Sequence, residues 1–154
     1  MNELMREADV LVLASPVYWS GFTSQIKTAI DRFYQFCFPK GRETLHIKDL
    51  YLIAASANPD SAMFNDVVHA YEQLCELLHF DKGGTLLCPG LAGADDLENH
   101  QEFLEKAVKM GMAIYFINRL THPKRKAALY CDLGARFGCV YMNEHSNRDR
   151  KSVV

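Results

Sequence analysis

Two stretches, Asp9-Val-Leu-Val-Leu-Ala-Ser15 and Leu50-Tyr-Leu-Ile-Ala-Ala-Ser56, are apolar almost without interruption. A strand with one wet face alternates polar and apolar residues. A continuous run of this length marks a strand covered on both faces, as in a parallel sheet. A third, shorter run, Gly84-Thr-Leu-Leu-Cys88, ends at Pro89-Gly90. Each run is followed by a helical spacing. Ile26, Ile30, Phe33 and Cys37 give one apolar face, and Phe64, Val67, Val68, Tyr71, Leu74, Cys75 and Leu78 give a wider one. Phe103, Leu104, Ala107, Met110, Gly111 and Ile114 form the third. Strand and helix alternating three times predict parallel β with right-handed crossovers, a three-layer α/β fold. Asp95 and Glu98 read as an approximate capping box for the third helix.

The chain's 154 residues fit one core. A formal net charge of −2 gives no electrostatic case for nucleic acid as a partner. No apolar run approaches the roughly 20 residues of a membrane helix, and Met1 to Asp9 is not a signal peptide. Cys37, Cys75, Cys88, Cys131 and Cys139 are odd in number and form no CxxC pair, so they read as mostly buried thiols of a reducing cytoplasm. Cys75 and His79 share the i, i+4 spacing of a helical metal pair, but no further ligands stand at motif spacing, and no metal is expected.

Residues 1–118 read as the α/β unit and 119–154 as a C-terminal extension. In the extension, Thr121-His-Pro-Lys-Arg-Lys126 is a polar break. Leu129, Leu133 and Phe137 could line a helix beginning near Pro123 and ended by Gly138. Leu129, Cys131 and Leu133 also alternate, which suits a hairpin turning near Gly134. Lys124 to Lys126 reads as a solvated patch.

Ligands of open α/β sheets sit outside the carboxyl ends of the strands. Three such ends are visible: Ser15 to Phe22, Ser56 to Ser61, and Cys88 to Asp95. The first combines the rings of Tyr18, Trp19 and Phe22 with Pro16 and Gly21, an apolar corner suited to a flat heterocycle with polar edges. The same rings also suit an oligomer contact or the core. Asn58-Pro59-Asp60 reads equally as a helix cap.

The segment Glu7-Ala-Asp-Val-Leu-Val-Leu-Ala-Ser-Pro-Val-Tyr-Trp-Ser-Gly-Phe22, followed by Gln25-Ile-Lys27 and Asp31-Arg32, resembles the flavodoxin-like NAD(P)H-dependent FMN reductases. That family's third strand runs into a Pro-x-Tyr corner and a helix with Gln-Leu-Lys and an Asp-Arg end. The resemblance implies a flavodoxin-like parallel sheet lacking its first two strands. It implies FMN as cofactor, with Pro16, Val17, Tyr18, Trp19, Ser20, Gly21 and Phe22 against the isoalloxazine and Ser56, Ala57 and Asn58 at its pyrimidine end. NAD(P)H would reduce the flavin, and a small-molecule electron acceptor would take the electrons. No catalytic acid or base is implied, because hydride transfer belongs to the cofactor.

The family's phosphate-binding loop has no counterpart before Asp9, where the sequence holds no Gly-rich or Ser/Thr-rich loop. Loss of those contacts would weaken FMN binding by a few kcal/mol, or orders of magnitude in affinity. In strand order 2-1-3-4-5 the missing strand also leaves the edge of Val10 to Ala14 bare. Upstream residues of a truncated chain, a second copy, or Ala127 to Met142 could cover it. The expectation is a homo-oligomer or a truncated chain, not a self-sufficient monomer. The rival reading is a cofactor-free flavodoxin-like assembly protein joined through that edge.

Overall fold

The structure is a computed structural model and describes residues 2–121, 127–132 and 137–142. The first element is a short helix, α1 (Asn2–Glu7), whose Met5 is sunk in the core. Strand β1 (Val10–Tyr18) follows and doubles back through β2 (Gly21–Phe22) into α2 (Ser24–Asp31). After a 3-10 turn over Arg32–Cys37 and the single helical turn α3 (Pro39–Arg42) come β3 (Asp49–Ser56), α4 (Asn65–Leu78) and β4 (Asp81–Pro89). The helix α5 (Gln101–Thr121) leads to β5 (Ala127–Asp132) and β6 (Phe137–Met142).

The sheet order is β4-β3-β1-β5-β6, with β2 paired to β1. Strands β4, β3, β1 and β5 are parallel, while β6 runs antiparallel to β5. The two continuous apolar runs are therefore interior strands, as their patterning predicts. Leu11, Leu13, Leu50 and Leu52 are wholly buried against α2, the 3-10 turn and α4. Each such side chain contributes about 1.5–3 kcal/mol of burial. On the opposite face Val10, Val12 and Tyr51 meet Ile114, and Leu86 and Cys88 meet Phe103, so α5 supplies the third layer.

Several expectations change in detail. The first helix does not continue to Cys37. It tightens to 3-10 geometry at Arg32, where the buried pair Phe33 and Phe36 stands three apart, the 3-10 repeat. Cys37 is exposed, whereas Cys75 and Cys88 are buried. The Asp95–Glu98 capping box is not formed. The carboxylate of Asp96 instead accepts the N–H groups of Ala92 and Gly93, both at 2.7 Å, and α5 starts only at Gln101.

In the extension β5 and β6 pair as antiparallel strands, as the hairpin reading has it, and Gly138 lies inside β6, while the turn expected near Gly134 falls outside the described residues. Pro123 and the Lys124–Lys126 patch fall outside the described residues. The strand edge of Val10 to Ala14 is not bare: β5 pairs along it from Val10↔Ala127 to Ala14↔Cys131. A strand from late in the chain thus fills the place next to β1, and the edge-to-edge route to assembly loses its physical motive. Among the described residues no helix is long and apolar enough to cross a membrane, and no group of three potential metal ligands occurs.

Candidate functional site

The parallel register brings the strand ends to one rim. Pro16 stands level with Ala55, and Ser56 with Pro89, so the ends of β1, β3 and β4 are adjacent steps of one edge. Strand β1 runs three residues past Ser15 and turns at Trp19-Ser20, because Val17 pairs with Phe22 and Tyr18 with Gly21. Both loop residues carry positive φ, 52° and 61°. That is the signature of a two-residue I′ hairpin, a turn that ordinarily selects Asn-Gly. Neither Trp19 nor Ser20 belongs to a ladder pair.

The tip is held from below by Ser15, the first residue of that rim segment. The Ser15 side chain, only 5% exposed, donates to the carbonyl of Pro16 at 2.8 Å and accepts the N–H of Thr23 at 3.3 Å. Thr23 in turn caps α2, its hydroxyl accepting the N–H of Ile26 at 3.4 Å. One buried hydroxyl therefore ties the strand to the helix start and fixes the hairpin between them. A Thr placed just before the helical spacing was the one sequence signal for this cap.

The second loop is organised in the same way. Ser56 Oγ accepts the N–H of Asn58 at 3.1 Å, and Asn58 Oδ1 accepts the N–H of Asp60 at 2.9 Å. Asp60 caps the next turn through the N–H of Ala62. The capping reading of Asn58-Pro59-Asp60 is thus the observed one. Leu91 N–H donates to the Ser56 carbonyl and Gly90 N–H to that of Asn58, which stitches the third loop to the second.

The predicted ring-binding residues are gathered on this rim. Val17 and Ser56 are buried, Pro16, Ser20, Gly21 and Phe22 are half-buried, and Ala57 and Asn58 are exposed. Tyr18 is 65% and Trp19 99% exposed, which removes the core reading for both rings. Phe22 packs against the main core. Pro16 to Phe22, Ser56 to Asn58 and Pro89 to Asp95 contain no Lys or Arg. The rim thus offers aromatic surface and peptide groups, which fits a neutral planar ring; none of these three loops offers a cation for a phosphate.

The fold is that of an open α/β protein, a class whose ligands sit at the carboxyl ends of the parallel strands. The chain belongs to the family described as the flavodoxin-like fold, whose profile matches residues 2–110. Strands β5 and β6 join the sheet from beyond that match. A curated protein of Bacillus subtilis (strain 168), named "Putative NAD(P)H-dependent FMN-containing oxidoreductase YwqN", is 25% identical over 103 residues, 64% of this chain. The chain spans 57% of that relative's length. The solved structure titled as the Trp repressor binding protein from Bacillus subtilis is similar in fold, with a TM-score of 0.57 and 24% identity. The match covers 66% of this chain and 63% of that one.

Proposed function

We propose that this chain carries the ring-binding half of an FMN-dependent oxidoreductase that uses NAD(P)H. The observation that supports the reading is the β1–β2 hairpin. It lifts Tyr18 and Trp19 out of the core at the rim, directly beside the Ser56–Asn58 loop. The relative's name points the same way.

In this reading Pro16 to Phe22 flank the isoalloxazine, and Ser56, Ala57 and Asn58 lie at its pyrimidine end. FMN held there would supply the redox chemistry, a hydride coming from NAD(P)H and two electrons with a proton going on to a small-molecule acceptor. The protein's own residues orient the ring and shield one face from water. No side chain on the rim need act as acid or base.

The test is direct. The purified chain is titrated with FMN while flavin fluorescence and NAD(P)H oxidation are followed. Quenching with turnover is expected, and Ser15→Ala, which frees the hairpin, weakens the quenching. Unquenched flavin and no NAD(P)H oxidation at saturating FMN would remove the reading.

A further inference from the structure

The segment from Arg32 to Arg42, just past α2, holds three cations and no acid, in a chain whose net charge is −2. Its first part is the 3-10 turn Arg32–Cys37, and three residues per turn sort the side chains into three rows. Phe33 and Phe36 form the buried row. The other two rows carry Arg32, Tyr34 and Cys37, all exposed, with Gln35 half-buried. An aromatic placed on an outer row cannot reach the core. Tyr34 keeps 69% of its surface in water, and Phe38, directly after the turn, keeps 50%. The two rings meet edge to face with their centroids 5.1 Å apart.

A close backbone approach fixes the cations to this turn. A Cβ on Gly41 would stand 2.0 Å from the Gln35 carbonyl oxygen, so α3 lies directly on the 3-10 turn. The helical turn that carries Lys40 and Arg42 is thereby locked to the one that carries Tyr34. Arg42 donates to the Leu45 carbonyl at 3.0 Å and holds its charge over the Phe80 ring. Arg32 and Lys40 are exposed and form no ion pair with a described residue. Of the two flanking acids, Asp31 is taken up by Lys27, which leaves Glu43 against three cations.

We infer that this face attaches the protein to the surface of an anionic phospholipid bilayer. The Tyr34 and Phe38 rings enter the headgroup layer, and Arg32, Lys40 and Arg42 meet the lipid charges. The rings stand on a turn and do not line a groove, so a fluid interface closes around them without a matching shape. Charges of one sign, clustered on a chain of the other sign, complement a surface that is itself of one sign. Each basic group near an anionic leaflet is worth about five-fold in affinity, so three give a weak, reversible and salt-sensitive attachment. The contact is peripheral, because no described helix is long and apolar enough to cross a membrane. The hairpin rim stands at the start of α2 and this face at its end, about 12 Å along the helix. Attachment therefore leaves the rim open and stands apart from the redox reading.

The purified full chain is sedimented with vesicles of phosphatidylcholine alone, or of phosphatidylcholine with about one third phosphatidylglycerol. Binding to the anionic vesicles alone is expected, weakening about ten-fold or more as salt rises from about 0.1 to about 0.5 M. Lys40→Glu, which reverses one charge, weakens it roughly twenty-fold. Tyr34→Ser combined with Phe38→Ser, both at exposed positions, keeps its circular dichroism and its net charge yet loses binding. Cys37, on the same outer row as Tyr34, is alkylated by iodoacetamide more slowly on the vesicle than in solution. Protein that stays in the supernatant with anionic vesicles overturns the inference. So does binding that survives the loss of both rings, or Cys37 alkylation at an unchanged rate in bound protein. Retention on immobilised polyglutamate without binding to vesicles overturns it as well, in favour of an acidic protein partner.

Discussion

Gly83 lies against the ring of Tyr51: a methyl group on Gly83 would stand 2.4 Å from Cε2 and 2.5 Å from Cζ. The register explains the approach. Leu50 pairs with Lys82 and Tyr51 with Gly84, so Gly83 is the extra residue of a β-bulge. Tyr51 is 3% exposed and has nowhere to retreat. Gly83→Ala is expected to cost about 1–3 kcal/mol, as overpacking of a closed core does. In a Tyr51→Leu background the same change costs less, which a double-mutant cycle by urea unfolding reads as coupling. Equal costs in the two backgrounds would refute the contact.

The hairpin tip is predicted to trade stability for exposure. Replacing Trp19-Ser20 by Asn-Gly supplies the residues an I′ turn prefers. Measured where both proteins are monomeric, the double variant melts about 2–4 °C higher, corresponding to about 1 kcal/mol in a chain of this size. A lower melting temperature under those conditions would contradict the turn assignment.

Alkaline pH should weaken the fold through buried phenols. Burial pushes the Tyr71 hydroxyl up to about 12, and it donates to the Leu50 carbonyl at 3.0 Å. Burial, then the nearby Asp49, raise that of Tyr51. In the unfolded chain both ionise near 10. Their contribution is therefore complete below pH 10 and is lost as the pH climbs toward 12. Tyr71→Phe forfeits about 1 kcal/mol of hydrogen bonding at neutral pH but flattens the decline. Urea midpoints from about pH 8 to about pH 11 test this, and parallel declines in the two proteins would refute it.

Thiol reactivity should divide by burial. Cys37 is exposed, whereas burial raises the thiol pKa of both Cys75 and Cys88. Iodoacetamide followed by peptide mass spectrometry is expected to label Cys37 first, with Cys75 and Cys88 reacting only on unfolding. Comparable native-state rates would show that α4 and β4 open locally.

The sequence carried the three-layer plan because β1 and β3 lie inside the sheet and read as unbroken apolar text. It carried the rim as well, since strand ends in a parallel sheet share one side. The hairpin within that rim was hidden, because Trp-Ser is not a pair that announces an I′ turn. The Ser15–Thr23 tether was hidden for another reason: it depends on two backbones meeting in space. Around Arg32, spacings of three and four were both present, and the Phe33–Phe36 pair decided for the tighter coil. Between Ala127 and Met142 both periods fitted equally, and only pairing with β1 resolves them.

The strand that completes β1 comes from more than a hundred positions later, Val10 lying opposite Ala127. On the ribosome, at about 5–20 residues per second, the central strand waits roughly 5–25 s for its neighbour. During that interval an unsatisfied row of amides is open to any passing polypeptide. Pairing along this edge of β1 is thus a late event of synthesis, and the nascent chain is at its most vulnerable just before β5 emerges.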